Sequence, residues 1–218
     1  MKKTAVAILA SSLFSTAAVA AQYEVSITNL THGQTFTPIL VASHYPGVEE
    51  LFELGQPASA ELAALAEGGD ISLLRQKLVD SGRLIDSDDS GGLLGPGETV
   101  MVRVKAPNHR RAEISLAAML IPTNDGFFAL NGVHAPTFNK SLTYFSPVYD
   151  AGSETNDESC VHIPGPFCQG EGGSPNDEGE GYVHIHSGIH GTMDQEVTAA
   201  TYDWRNPAAK ITIKRVKE

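Results

Sequence analysis

The sequence predicts an all-β fold: an antiparallel β-sandwich of about eight strands, with two short helices inserted after the second strand. Three observations carry this expectation. Short segments alternate apolar and polar residues. Twenty-one glycines and 12 prolines punctuate them. Strands never alternate regularly with helices, as a parallel sheet with crossovers would require. Residues 1–20 read as a leader, described below, and residues 21–218 as one domain. The first strand is expected over 23–29, where Tyr23-Glu-Val-Ser-Ile-Thr-Asn29 has a clean period of two. The Thr31-His-Gly-Gln turn leads into a second strand over 36–43. The run 58–67 is helical in pattern and stopped by Gly68-Gly69, and Asp70 caps a second helix over 71–80 that ends at Gly82. From Leu93 onward strands are expected over 99–105, 113–121, 126–133, 142–148, 182–186 and 210–216.

Composition excludes several classes of function. Acidic residues outnumber basic ones 26 to 15, the wrong sign for binding nucleic acid by phosphate neutralisation. Met1-Lys2-Lys3, the uncharged stretch 4–19 and the small residues Ala18-Val19-Ala20 form the pattern of a cleavable secretory signal peptide. The apolar stretch is shorter than the ~20 residues that span a bilayer. No later segment reaches that length, so no transmembrane segment is expected in the mature chain, which should be secreted or periplasmic. Loss of Lys2 and Lys3 with the leader leaves 13 basic against 26 acidic residues, a net of −13. Such a charge attracts cations.

The two cysteines, Cys160 and Cys168, lie in one loop-like segment. In an oxidising compartment a local disulfide is the first expectation, since the short Cys-x-x-Cys spacing of a thiolate pair is absent.

From Ser141 to Trp204 there is no Lys or Arg, while eleven acids are present, Asp150, Glu154, Asp157, Glu158, Glu180 and Asp203 among them. Two constellations in this part of the chain could carry chemistry. Asp150-Ala-Gly-Ser-Glu154, with Gly152 to bend it, can turn two carboxylates to one point, and Asp125 of Asn124-Asp125-Gly126 could join from another loop. Calcium takes six to eight oxygens of this kind, although an ordinary polar turn has the same spacing. His184-Ile-His186-Ser-Gly-Ile-His190 could offer three imidazoles to Zn²⁺ or Cu²⁺, or could simply shape the end of a strand. Asp86-Ser-Asp88-Asp89-Ser90-Gly91 begins like a helix–loop–helix calcium loop, but Gly97 stands where its bidentate Glu belongs. Asn29-Leu-Thr31 and Asn139-Lys-Ser141 match the glycosylation pattern, although a bacterial-looking leader argues against a glycan. Nucleophile elbow, zincin, phosphate-loop and dinucleotide motifs are absent, so no enzyme class has positive support.

Several ordered motifs resemble the spondin N-terminal domain: Glu24-Val-Ser-Ile-Thr-Asn-Leu-Thr31, Ser43-His-Tyr-Pro-Gly47, Leu51-Phe-Glu-Leu-Gly55, the segment 114–127 and Tyr149-Asp-Ala-Gly-Ser-Glu-Thr-Asn156. The resemblance runs from about Tyr23 to Val216. It implies a C2-like antiparallel sandwich that holds calcium between loops, with Asp125, Asp150 and Glu154 at the carboxylate positions. Glu154 departs from the Asp of the animal pattern by one methylene. The expected function is an exported calcium-binding module for adhesion to, or binding of, an unidentified extracellular or cell-envelope ligand. The alternative is a His-ligated Zn²⁺ or Cu²⁺ protein, a hydrolase being one form of it, that uses His184, His186 and His190.

Overall fold

The computed structural model describes residues 20–107, 111–137, 140–173, 178–191 and 196–216. Residues 1–19 of the expected leader over 1–20, and Asn139, lie outside the described residues, while Ala20 begins the first strand. Among the described residues, eleven strands form two antiparallel sheets, so the sandwich is as the sequence predicts, with more strands than the eight expected because some expected strands are split and a polar one went unseen.

Strand β1 (Ala20–Asn29) lies centrally in a four-stranded sheet of order β5-β1-β11-β8, where β5 is Thr99–Pro107, β8 is Ser141–Ser146 and β11 is Ala209–Val216. Its alternation decides its faces: Tyr23, Val25 and Ile27 are buried, while Glu24, Ser26 and Thr28 point outward.

The second expected strand is two pieces, β2 (Thr35–Phe36) and β3 (Leu40–His44). Pro38 cannot donate to a ladder, and between the pieces the chain changes partners. β2 pairs with the upper end of β6 (Glu113–Ile121), and β3 pairs with its lower half. The other edge of β3 meets β4 (Leu84–Asp89). The calcium-loop-like sequence at Asp86 is therefore an edge strand, which its polar character hid from a reading by hydrophobic period. Asp86 ties the two sheets by accepting the Lys105 N–H at 2.8 Å.

Helices α1 (Ala60–Gly68) and α2 (Ile71–Asp80) fall where expected. Ser59 accepts the Leu62 N–H and Asp70 the Ser72 N–H, so both first turns are capped by side chains. Leu62, Leu65, Leu74 and Leu78 bury their side chains against Leu40, Ala42, Ala117, Phe127 and Ala129 on the outer face of the larger sheet. Each such leucine contributes roughly 1.5–3 kcal/mol by its burial.

A second core lies between the sheets, where Val25, Ile27, Val104, Ile211 and Ile213 meet Val41, Ile114, Leu116, Leu120 and Phe128. β6 is thus covered on both faces, which explains why 114–121 is almost continuously apolar.

The larger sheet continues through β7 (Gly126–His134), β9 (Tyr149–Asp150) and β10 (His184–Ile185). A short helix, α3 (Ala199–Tyr202), precedes β11. Cys160 and Cys168 form a disulfide. Among the described residues no helix is long and apolar enough to cross a membrane. The disulfide and this absence are compatible with a secreted or periplasmic protein.

Candidate metal centre

The end of the larger sheet gathers acids and histidines because three strands meet there in register. Asp150 of β9 stands opposite Gly126 of β7 on one side and opposite His184 of β10 on the other. Directly opposed residues turn their side chains to the same face, so His184 and Asp150 share one. Asp125 enters from the turn before β7. Gly126 supplies space: a Cβ there would lie 3.1 Å from the His186 ring and 2.7 Å from Thr123 Oγ1.

The loop after β9 folds back through Gly152, whose φ of 65° suits glycine. A Cβ on Gly152 would also stand 2.3 Å from the Tyr182 carbonyl oxygen. This close approach lays the 151–154 loop against 179–182 and brings Glu180 to the site.

Asp125 and Asp150 are fully buried, and Glu154 nearly so. Asp125 Oδ2 accepts the N–H groups of Ser153 at 2.8 Å and Glu154 at 3.1 Å, whereas Oδ1 is buried without a hydrogen-bond partner. Asp150 Oδ1 accepts the Gly152 N–H at 2.8 Å, and its Oδ2 accepts the Asn156 side-chain amide at 2.7 Å. Burial raises the pKa of both carboxyls. For Asp150, burial and then the Asp125 charge push it up to about 7, beyond what its hydrogen bonds and His184 recover.

His184 brings a ring nitrogen to the two acids. Its Nδ1 lies 3.0 Å from the Ile185 carbonyl oxygen, which can only accept, so Nδ1 carries a proton. In the neutral ring, Nε2 then turns a lone pair toward Asp150 Oδ1 at 3.4 Å and Glu180 Oε2 at 3.5 Å, with no hydrogen bond to either. Three acceptors facing one another repel unless a proton or a metal ion lies between them. Burial opposes protonation of the ring, but the Ile185 carbonyl, Asp150 and Glu180 outweigh it and raise its pKa. The ligand atoms of Asp150, Glu180 and His184 all lie within 4.8 Å of one another, a carboxylate–histidine group able to hold a metal.

The other two histidines turn elsewhere. His186 Nδ1 accepts the Gly188 N–H at 3.0 Å, so the proton of the neutral ring sits on Nε2, 3.9 Å from Asp150 Oδ2. The ring packs on Trp204 with centroids 5.0 Å apart. Burial, then His184 and His190, lower its pKa to about 3, so it stays neutral. His190 faces Glu158, whose carboxylate accepts the N–H groups of His190 and Gly191 at 2.5 and 2.6 Å. His184, His186 and His190 therefore do not converge as a set of three ligands.

Around this centre the disulfide loop is held by Asn124. Its amide donates to Asp157 Oδ1 at 3.0 Å and its carbonyl oxygen accepts the Glu158 N–H at 3.1 Å. Burial works to raise the Asp157 pKa, but hydrogen bonds from Ser159, His162 and Asn124 win and lower it.

Asp125, Asp150 and Glu154 are thus neighbours. Glu154 reaches Asp125 through its backbone, and its side chain stands outside the group of three. Glu180 stood in the acidic run as one acid among eleven and not as a candidate ligand; its spacing of four residues before His184 was the available signal. Compared with known proteins, the chain matches no family model and no curated sequence.

Proposed function

We propose that this chain is an exported β-sandwich module of spondin type that holds a divalent cation against Asp150 and uses the loops ordered by that ion to bind an extracellular or cell-envelope ligand. The observation that carries this reading is the pair of fully buried carboxylates, Asp125 and Asp150, close enough for the charge of one to raise the pKa of the other. Two like charges taken out of water cost several kcal/mol, and a cation is the direct remedy. Calcium is the first ion of this reading, because Asp125, Asp150, Glu154 and nearby loop carbonyls are hard oxygen donors. A second reading, a zinc-like or copper ion on Asp150, Glu180 and His184, is favoured by the lone pair of His184 Nε2.

Metal analysis of protein purified without chelator, followed by calorimetric titration of the stripped protein with Ca²⁺ and Zn²⁺, tests both readings. Calcium bound stoichiometrically and lost in Asp125→Asn supports the first. Zinc or copper lost in His184→Ala supports the second. Neither ion binding would reject the function. Export is checked by intact mass from an exporting host: the expected chain begins near Ala21, and retention of residues 1–20 would refute it.

A further inference from the structure

At the opposite end of the larger sheet, the fold assembles a serine–histidine pair from residues 71 positions apart. His44 Nδ1 lies 3.1 Å from the Tyr45 carbonyl oxygen and must donate to it. Nε2 of the neutral ring is therefore an acceptor, and it lies 2.9 Å from Ser115 Oγ. Ser115 Oγ also accepts the Gly132 N–H at 2.8 Å. Its own proton is thus directed to His44, while a backbone dipole favours negative charge on the oxygen. This is the hydrogen-bond pattern of a nucleophile, a base and a group that orients the base.

Two irregularities in the sheet aim these residues. The ladder between β3 and β4 shifts register between Ser43 and His44, and the ladder between β6 and β7 shifts between Ile114 and Leu116. Bulges of this kind re-aim side chains and concentrate next to active sites.

The pair lines a cavity of about 250 Å³, together with Glu49, Glu50, Glu113 and Asn131. Asn131 fixes the wall by accepting the Leu51 N–H and donating to the Phe52 carbonyl, both at 2.9 Å. Gly132 borders the cavity as well: a Cβ there would meet Glu113 Oε2 at 3.4 Å and His44 Cε1 at 3.9 Å, both ordinary contacts. The Glu113 carboxylate, which pairs with the His134 ring at 3.3 Å, and the His44 ring therefore border the same gap.

We propose that Ser115 and His44 form an acyl-transfer site for small neutral or cationic carboxylic esters. Ser115 Oγ bonds to the ester carbonyl carbon as its proton passes to His44 Nε2. The carbon–oxygen bond to the alcohol then breaks, and His44 returns the proton to the departing alcohol. Water, activated by the same ring, releases the acid and restores Ser115. A cavity of about 250 Å³ suits a small ester, and its three carboxylates disfavour anionic substrates.

The test is covalent labelling of the folded wild-type protein with diisopropyl fluorophosphate, read by intact mass and peptide mapping, with p-nitrophenyl acetate hydrolysis measured alongside. A single adduct on Ser115 is expected. In His44→Gln the labelling rate should fall roughly 10²–10⁴-fold, the usual contribution of a general base. Ser115→Ala should abolish both label and esterase activity, with its far-UV circular dichroism recorded as the check on folding. Mapping the adduct on the wild type decides the question even if that variant fails to fold. No adduct on Ser115 in natively folded protein, or labelling unchanged in His44→Gln, would overturn the proposal.

Discussion

Replacing Asp150 with Asn should stabilise the chelated protein and abolish its response to cations. The folded Asp150 carboxyl has its pKa pushed from 3.8 to about 7. A raised carboxyl binds its proton more tightly in the folded than in the unfolded chain. Its contribution is fully present below pH ~4 and is lost at about 1.36 kcal/mol per pH unit until pH ~7. Over the full window, about 3.2 units, the loss is about 4 kcal/mol.

Asn removes this cost. It also turns an NH₂ toward one of the two donors that Asp150 now satisfies, the Gly152 N–H or the Asn156 amide, at a cost of about 1 kcal/mol. The net gain of Asp150→Asn over wild type should be about 3 kcal/mol at pH 8 and near zero at pH 4.5, or roughly 6–12 °C in melting temperature for a domain of this size at the higher pH.

The comparison must be made between variants, because His186 acts with the opposite sign. Its folded pKa is lowered to about 3, so its contribution is present above pH ~6.5 and is lost as the pH falls. Between pH ~4 and ~6.5 the two groups offset each other in the wild type. With the cation at ten times its Kd the wild type should gain about 1.4 kcal/mol, and Asp150→Asn nothing. Thermal melts in chelator and in excess Ca²⁺ or Zn²⁺, at pH 4.5 and 8, read all of these quantities. A difference between variants that does not change with pH, together with a wild-type melting temperature indifferent to both ions, would refute the argument.

Gly152→Ala should cost ~2 kcal/mol or more, since it combines a positive φ with a Cβ driven into the Tyr182 carbonyl. Its cation affinity should fall with it, as titration calorimetry would register. Asn29→Ala should cost about 3–4 kcal/mol in chemical denaturation. The side chain of Asn29 is fully buried, donates to the Gln34 and Leu94 carbonyls and accepts from the Thr31 N–H and hydroxyl. A glycan on Asn29 would have to displace all four of these bonds. Replacing Cys160 and Cys168 with Ser should lower stability by about 2–3 kcal/mol, and Ellman titration of the denatured wild type should find no free thiol.

Local rules account for much that was legible. The alternation 23–29, the capped helix after Asp70 and the apolar run 113–121 each depend on neighbours in sequence, so period and capping chemistry suffice to place them. β4 was hidden because Asp86, Ser87, Asp88 and Asp89 carry no apolar period; the strand exists because β3 offers an unpaired edge. The break at Pro38 was visible as a residue, but the exchange of partners it permits was not.

The candidate centre divides along the same line. By itself, the sequence determined which residues could serve a cation: an acidic run without Lys or Arg, the Asp150-Ala-Gly-Ser-Glu154 turn and three nearby histidines. Composition fixes charge, and charge fixes what a surface attracts. Only the tertiary structure decided which of these meet. The ladder β7-β9-β10 put Asp150 between the Asp125 turn and His184, and the packing of Gly152 on Tyr182 carried Glu180 in from a separate loop. It sent His190 to Glu158 instead, and it paired His44 with Ser115 across two strands. Spacing along a chain predicts direction only while the chain stays in one strand or helix; once it turns, the position of a side chain is set by hydrogen-bond register and by which backbones can touch.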